Sequence, residues 1–187
     1  MSRNTIALLG ASLLLAGTSC QMMAKGPQLK AGMQRSAVGF GYSSYTIEPP
    51  AGAETDVTDM NLNVSHGWFV TGNAEIGGKL MYESSEFDSG GPKTESDAYI
   101  LAAFARWYFA GGSNLYPYVE GLLGMGNVDS GASDDDFTRL SIGAGAMNFL
   151  TASTALDAIV KYQMDSFDKS DVDVNGIWLE LAYSVFW

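Results

Sequence analysis

The sequence predicts an all-β fold, an eight-stranded antiparallel up-and-down transmembrane β-barrel, and three observations support it. From residue 31 onward, apolar residues recur with a period of two rather than 3.6, which is typical of strands with two different faces. The chain has 22 glycines, 12 % aromatic residues and only five prolines, a composition that suits pleated strands joined by turns. Outside the N-terminus there is no run of about 18 apolar residues, which disfavours a helical membrane protein.

The first half of the chain contains four segments that we interpret as strands. They are "QRSAVGFGYSSY", "DMNLNVSHGW", "AEIGGKLMYES" and "AYILAAFARWYF". In the first segment, Val38, Phe40 and Tyr42 share one face, and Arg35 lies on the other. The fourth segment is apolar on both faces, and Arg106 indicates which of them is the polar one. Each segment therefore has an apolar face opposite a face of small or polar residues.

The second half repeats this pattern in four more segments. They are "YPYVEGLLGMGNV", "TRLSIGAGAM", "TALDAIVKYQM" and "GIWLELAYSVFW". In the last, the odd positions from Ile177 to Trp187 are apolar, and Glu180 lies on the opposite face. The chain therefore ends in a strand whose apolar face reaches the terminal tryptophan.

The connections between these segments predict the topology. Three are short, near residues 70, 112 and 150, and four are longer and acidic, at 46–56, 86–97, 129–136 and 165–174. Short turns that alternate with longer loops are typical of an up-and-down barrel with both termini at the short-turn end.

Residues 1–20 are predicted to be a signal peptide rather than part of the fold. Arg3 precedes an apolar stretch, and small residues follow it up to Cys20. A single cysteine at this place resembles a bacterial lipoprotein signal, whose cysteine becomes lipidated, although Gly17 stands where such signals usually have leucine. The alternative is ordinary cleavage near Ser19, which would leave an incidental thiol. We predict a linker over residues 21–30 and the barrel over 31–187.

Ten charged side chains on the small-residue faces form a predicted lumenal charge network. Five are basic and five are acidic: Arg35, Lys79, Arg106, Arg139 and Lys161, and Glu75, Glu83, Glu120, Asp157 and Glu180. The equal numbers favour a closed lumen, because buried charges are tolerated only when they are paired. The apolar faces carry almost no charge over the roughly nine to eleven residues that a strand needs to cross a bilayer. A membrane barrel is therefore favoured over a soluble, lipocalin-like one.

Aromatic residues concentrate at the two ends of the predicted strands. The short-turn end has Trp68, Trp107, Tyr108, Tyr116, Tyr118, Phe149 and Trp187, and the long-loop end has Tyr42, Tyr45, Tyr82, Tyr99, Phe137 and Tyr162. Two aromatic bands that flank an apolar belt are typical of membrane barrels.

Residues 31–187 resemble the eight-stranded bacterial outer-membrane barrels of the OmpA and OmpX type. The motifs that carry the resemblance are "FARWYF" before a short turn, "YPYVEGLLGMG" after it, and the aromatic C-terminus "AYSVFW". The resemblance implies an outer-membrane location with periplasmic termini. It also implies an insertion signal in the final strand, carried here by Tyr183, Val185, Phe186 and Trp187, which the outer-membrane insertion machinery would bind.

Some barrels of this size are enzymes that act on lipid A and need a histidine near the outer leaflet. The one histidine, His66, lies just before a short turn and shares the outward face of Trp68, so we predict no enzymatic activity. Glu75, Lys79 and Glu83 lie at i, i+4 and i+8, an arrangement that allows acid–base chemistry but is more typical of ion pairs that fill a barrel. We expect no cofactor.

The predicted loops hold most of the remaining acidic residues. Asp134, Asp135, Asp136, Asp168, Asp171 and Asp173 are weak candidates for binding Ca²⁺ or Mg²⁺, and the alternative is that they only keep the loops solvated. A net charge of −11 disfavours a nucleic-acid partner. The other partners that we expect are outer-membrane lipid and lipopolysaccharide, with a monomeric barrel.

We predict an integral outer-membrane barrel with a closed, salt-bridged lumen and short acidic surface loops, in a structural, envelope or surface-interaction role. Two alternatives remain. One is a narrow channel for ions or small solutes, which is disfavoured because eight strands leave an interior just wide enough for side chains. The other is a soluble periplasmic, lipocalin-like carrier that is tethered by a lipid at Cys20.

Overall fold

The computed structural model describes residues 27–47, 55–88, 94–109, 114–129, 134–168 and 173–187. The signal peptide and Cys20 lie outside these residues, as does Asp171. The strands are β1 Gln34–Ile47, β2 Thr55–Phe69, β3 Ala74–Asp88, β4 Thr94–Tyr108, β5 Leu115–Asp129, β6 Asp134–Phe149, β7 Thr154–Phe167 and β8 Asp173–Phe186. Each strand pairs antiparallel with its neighbour in sequence, and β8 pairs with β1 to close the barrel. The predicted fold class is confirmed.

The strands extend further than the sequence predicted at one end of the barrel. β3 continues to Asp88 and β4 begins at Thr94, so most of the predicted loop 86–97 belongs to a paired hairpin. The loops 129–136 and 165–174 shorten in the same way. The prediction was wrong because acidic side chains do not end a strand whose backbone groups have partners. We call this end, with connections 48–54, 89–93, 130–133 and 168–172, the loop end, and the opposite end the turn end.

The outer surface of the barrel is apolar and its interior is charged. Large apolar side chains point outward from every strand, and Leu62, Leu101, Ile142 and Met125 are 56 %, 62 %, 66 % and 71 % exposed. Alternation places the predicted charges on the opposite, buried face. A water-soluble barrel has the reverse arrangement, so the faces contradict the lipocalin-like alternative. Within the described part of the chain, no helix has the length and apolarity of a membrane-spanning helix.

An apolar cluster fills the lumen at the turn end. Its buried members, which we call the mouth cluster, are Leu29, Phe69, Tyr108, Tyr118, Met147, Phe149, Ala155, Ile159 and Phe186. Tyr108, Tyr118 and Phe149 were expected in an outward aromatic band and instead point inward, and so does Phe137 at the loop end. Alternation explains the difference, because aromatic residues on both faces of a strand end cannot all reach its exterior.

The segment before β1 is part of the barrel. Leu29 is 6 % exposed in the mouth cluster. The Gly32 amide donates to the Phe69 carbonyl at 2.9 Å, and the Tyr116 hydroxyl donates to the Pro27 carbonyl at 3.0 Å. The last residues of the predicted linker 21–30 therefore contact the turn end of the barrel.

Several inward glycines make room for large lumenal side chains. A Cβ atom added to Gly67 would collide with the Glu75 carboxylate on β3. A Cβ atom on Gly145 would lie 2.7 Å from the ring of Tyr118. The charges and rings fit inside eight strands because their neighbours in the wall have no side chain.

Candidate functional site: the lumenal charge network

All ten side chains of the predicted network lie inside the barrel, between 0 and 6 % exposed. Each comes from an inward position of its strand, so the period of two decides which charges enter the lumen. Some ion pairs join neighbouring strands, as Arg106 and Glu120 do, and others join strands that are not neighbours, as Arg35 on β1 and Glu75 on β3 do. The network therefore joins opposite walls of the barrel.

Asp157 on β7 lies between two arginines near the turn end. Its carboxylate oxygens lie 3.5 Å from Nη1 of Arg35 on β1 and 3.4 Å from Nη1 of Arg106 on β4. The Ser184 hydroxyl donates to the same carboxylate at 2.5 Å. Arg35 also binds Glu75 through Nε at 2.8 Å. One carboxylate thus connects arginines from opposite sides of the lumen.

The network continues toward the middle of the barrel through Glu120. Arg106 Nε lies 2.5 Å from one Glu120 oxygen, and Lys79 Nζ lies 3.8 Å from the other. Lys79 and Lys161 then share Glu180, at 2.9 and 2.5 Å from its two oxygens. Positive and negative groups alternate along this path.

The eight charges on this path form one neutral assembly. In order they are Glu75, Arg35, Asp157, Arg106, Glu120, Lys79, Glu180 and Lys161, four acidic and four basic. Aromatic neighbours add further contacts. The Tyr108 hydroxyl donates to Glu75 at 2.6 Å, and the Arg106 guanidinium lies 4.4 Å from the centre of the Tyr118 ring. Such mutual pairing offsets the cost of burying charge.

A second cluster lies closer to the loop end. Arg139 on β6 binds Glu83 on β3 through two nitrogens, at 2.5 and 2.7 Å. The same guanidinium donates to both oxygens of Asp165, at 2.8 and 2.7 Å, and Gln163 donates to Asp165 at 3.1 Å. Two-pronged pairing of this kind is the strongest geometry for an arginine and a carboxylate.

Two lumenal carboxylates were missing from the predicted network. Asp59 is 4 % exposed and Asp165 is 8 % exposed. The signal was present in both cases, because Asp59 shares the face of Asn61 on β2, and Asp165 shares the face of Lys161 on β7. With them, seven acidic groups face five basic ones. The excess negative charge lies at the loop end, where the carboxylates are closest to solvent.

His66 lies on the outer surface near the turn end, as its sequence position indicated. Its Nδ1 is 2.8 Å from the Ser36 hydroxyl, and its ring packs edge-on against Trp68 and near Trp187. A serine–histidine pair is a starting point for nucleophilic catalysis, which also requires a group that orients the histidine and donors for an oxyanion. The partners around His66 are aromatic rings, which suit a position at a membrane interface.

Three of the predicted cation ligands, Asp134, Asp135 and Asp136, do not share one face of their strand. Asp134, Asp135 and Asp136 are the first residues of β6 rather than a loop, and alternation sends Asp135 to the opposite face from the other two. Asp136 accepts a hydrogen bond from Asn127 at 3.0 Å. In the part of the chain that the structure describes, no group of three or more potential ligand side chains forms a metal site. Weak cation binding by the loop carboxylates stays a prediction.

The predicted insertion signal is divided between the two faces of β8. Tyr183, Val185 and Trp187 point outward, whereas Phe186 is 4 % exposed in the mouth cluster. The backbone of Trp187 exchanges two hydrogen bonds with Gln34, at 2.9 and 3.2 Å. The terminal residues are therefore part of the seam that closes the barrel.

Comparison with known proteins gives similarity in structure only. No protein-family model matches the chain, and no curated protein matches it in sequence. Neisserial surface protein A has a similar structure, with a TM-score of 0.58 and 19 % identity over 83 % of this chain and 96 % of that one. The N-terminal barrel of Pseudomonas aeruginosa OprF gives a TM-score of 0.48, 18 % identity, and coverage of 84 % and 100 %. The Yersinia pestis attachment invasion locus protein Ail gives 0.46, 16 %, and coverage of 84 % and 99 %.

At 19 % identity, the likeness to the neisserial protein shows the fold alone. The chain therefore has the fold of the eight-stranded bacterial outer-membrane barrels, and the resemblance found in the sequence is confirmed at this level. Fold does not fix function, so the function has to be argued from the surfaces of this chain.

Proposed function

We propose that this chain, which has the fold of the outer-membrane barrels, is itself an integral outer-membrane protein with a closed lumen and a structural or surface-interaction role in the envelope. The observation that carries the proposal is the distribution of its side chains: apolar side chains cover the exterior, and the charged side chains are buried as ion pairs in the interior. The apolar exterior and the charged interior are both unfavourable for a barrel in water, and both are favourable for a closed barrel in a bilayer. Lipid and lipopolysaccharide are then its immediate surroundings.

The proposed orientation places the turn end in the periplasm. Short turns, the N-terminal segment and the C-terminal residue all lie at this end, which is the usual arrangement in outer-membrane barrels. In this orientation Tyr183, Val185, Phe186 and Trp187 serve the insertion machinery, and Cys20 is lipidated at the periplasmic surface. The barrel is proposed to work as a monomer, because β8 pairs with β1 from Arg35 opposite Phe186 to Tyr42 opposite Leu179 and so closes the sheet over this length.

The lumen is proposed to be closed and without catalytic function. Arg35, Asp157 and Arg106 span it between β1, β7 and β4, and each is 1 to 3 % exposed. A narrow channel for ions or small solutes is the second candidate. It is favoured only by the polar character of the lumen, and it would require these cross-lumen pairs to separate.

An arginine on the outer surface tests the membrane placement. Ile142→Arg places a charge at an outward position that is 66 % exposed. On the lipid-facing surface of a barrel such a change costs about 2–4 kcal/mol near the bilayer centre, whereas an exposed site in water changes by about 0.5 kcal/mol or less. Thr138→Arg, on the same strand near the loop end, is the matched control, with an expected cost of about 0–1 kcal/mol. Urea titration of the barrel in lipid vesicles measures both.

Equal and small costs for both variants would contradict the proposal, and so would recovery of the wild-type protein from the soluble periplasm. The expected result is recovery in the outer-membrane fraction, with migration on SDS gels that changes on heating. The difference between the two arginine variants separates a barrel embedded in lipid from one that only adheres to it.

A further inference from the structure

The pairing between β1 and β8 is shorter than any other pairing in the barrel. Toward the loop end it stops at Tyr42 opposite Leu179, although β1 continues through residues 43–47 and β8 begins with residues 173–178. Within the described part of the chain, no backbone pairing joins these two stretches to each other. Each of them is paired on one side only, with β2 and with β7. We call this pair of free edges, residues 43–47 and 173–178, the open seam.

The direction of the free backbone groups follows from the register. Gln34 and Trp187 exchange two backbone hydrogen bonds, at 2.9 and 3.2 Å, and bonded pairs then recur at every second residue of an antiparallel ladder. The backbone groups of Asn175 and Ile177 therefore point into the open seam, whereas those of the residues between them point toward β7. The Ser43 hydroxyl donates to the Ile177 carbonyl at 3.3 Å, in the place of a backbone donor.

The open seam begins where the strands leave the apolar belt. Tyr42 and Tyr162 are outward tyrosines that are 45 % and 44 % exposed, and Tyr162 lies directly opposite Ile177. Outward aromatic residues of this kind mark the membrane interface in a transmembrane barrel. Free backbone groups are not tolerated in hydrocarbon, but beyond the interface water or a partner can bond to them. In the proposed orientation these groups are accessible from outside the cell.

The sequence of the open seam does not protect its edges. Natural sheet edges avoid adding further strands by means of lysine, proline or bulges. Residues 44–47 read "SYTI" and residues 174–178 read "VNGIW", without lysine, arginine or proline. The first of these stretches is rich in residue types that favour strands. An extended polypeptide segment can therefore add to the sheet here.

The strand ends around the open seam are acidic. Among the described residues, the stretches 43–47, 55–59, 165–168 and 173–178 contain five aspartates and no lysine or arginine. The aspartates are Asp56, Asp59, Asp165, Asp168 and Asp173. Arg139 pairs with Asp165, and the net charge of these strand ends stays negative. Charge complementarity therefore favours a basic partner.

We propose that the open seam binds an extended, positively charged polypeptide segment of a partner protein, which adds to the β8 edge as a further strand. Its backbone bonds to Asn175 and Ile177, and its basic side chains lie near the aspartates. Strand addition of this kind takes its affinity from main-chain hydrogen bonds. The inference rests on the surface-interaction role proposed above and names the class of partner.

Amide hydrogen exchange tests the site, with the barrel in lipid nanodiscs and NMR to follow individual residues. The probe is a short synthetic peptide of alternating threonine and valine with a lysine at each end. The peptide is expected to slow exchange at Asn175 and Ile177 by about tenfold when its concentration is about ten times its Kd. Exchange at Val174 and Gly176, whose amides point toward β7, should not change.

Two variants of the barrel separate backbone pairing from side-chain contacts. Asn175→Pro removes an amide that points into the open seam and leaves the ladder with β7 intact. It should weaken peptide binding about two- to tenfold, the contribution of one hydrogen bond. Asn175→Ala keeps the amide and is the matched control, with unchanged binding. Heat-modifiable migration shows that both variants are folded.

Two altered peptides test the same recognition without changing the barrel. A peptide with two adjacent prolines at its centre cannot form a strand ladder, and it should bind at least about tenfold more weakly. A peptide with glutamate in place of both lysines should also bind at least about tenfold more weakly, because like charges meet at the open seam.

Unchanged exchange at Asn175 and Ile177 in the presence of the lysine peptide would overturn the proposal. Equal binding of either altered peptide would overturn it too. Slow exchange at these two residues without any peptide would show another occupant: a second copy if protection increases with protein concentration, and a segment of the same chain if it does not. Failure of the membrane placement is distinguishable, because it appears as equal, small costs of Ile142→Arg and Thr138→Arg.

Discussion

At the scale of single residues, Asp157 joins two arginines of the charge network. Its two oxygens face Arg35 and Arg106, and Ser184 donates to the same group. Its distance in sequence is 122 residues from Arg35 and 51 from Arg106. A buried ion pair adds little net stability compared with apolar packing, but removal of one partner leaves the other charge unpaired.

Asp157→Ala is therefore expected to destabilise the barrel by about 3–5 kcal/mol, the usual cost of breaking a buried ion pair. The measurement is urea titration of the protein in vesicles. Adding Arg106→Met should restore part of the loss, because it removes one of the two positive charges that lose their shared carboxylate in Asp157→Ala, while Glu120 keeps Lys79 at 3.8 Å. Additive costs in the double variant would show that Asp157 and Arg106 do not interact.

At the scale of elements, β8 closes the barrel and packs its turn end. Its pairing with β1 runs from Arg35 opposite Phe186 to Tyr42 opposite Leu179, so the seam depends on the last residues of the chain. Phe186 packs inside the lumen, with its ring centre 4.9 Å from that of Phe149. Trp187 is 58 % exposed on the outer surface. Phe186 and Trp187, two neighbouring residues of the predicted insertion signal, therefore have different roles: Phe186 packs in the lumen, and Trp187 lies on the outer surface.

Phe186→Ala is expected to lower the free energy of unfolding by about 3–5 kcal/mol, as for a large side chain removed from a core. Trp187→Ala serves as the matched control, and its effect on stability should be smaller because its ring leaves only the outer surface. Urea titration in vesicles measures the stability of both, and outer-membrane levels in cells measure assembly. Similar losses of stability in the two variants would contradict the distinction between the faces.

At the scale of the whole molecule, the lumen contains three layers, beside an apolar cluster on the wall from β3 to β6 that includes Ile100, Phe104 and Leu122. The mouth cluster fills the turn end, the neutral network of eight charges follows it, and the Arg139 cluster lies nearest the loop end. The N-terminal segment adds Leu29 to the first layer. Each layer contains side chains from opposite walls, which is how so narrow a barrel is filled.

The wild-type barrel is therefore expected to show no steady conductance in a planar bilayer. Replacing Arg35, Arg106 and Asp157 together by alanine removes the layer that crosses the lumen without changing its net charge by more than one, and should produce discrete conductance steps. Leu101→Ala on the outer surface is the control and should remain silent. Steady conductance of the wild type would favour the narrow channel instead.

The sequence by itself determined the fold class, the strands and the face on which each charge lies, because alternation is a local property of every strand. It also indicated the outward position of His66 and the membrane-like exterior. The sequence prediction was wrong at the strand ends. Acidic residues there were assigned to loops although their backbones are paired, and Asp59 and Asp165 were left out of the lumen.

Only the tertiary structure decided which charges pair and what lies beside them. Asp157 pairs with two arginines, Phe186 and Trp187 lie on opposite faces of β8, and Leu29 packs in the mouth cluster. All three features depend on how the eight strands are staggered when the barrel closes. The same stagger aligns Tyr82, Tyr99 and Asn127 from three strands on the outer surface. The alternation within a strand determines whether a side chain points inward or outward, and the closed barrel determines which other side chains it contacts.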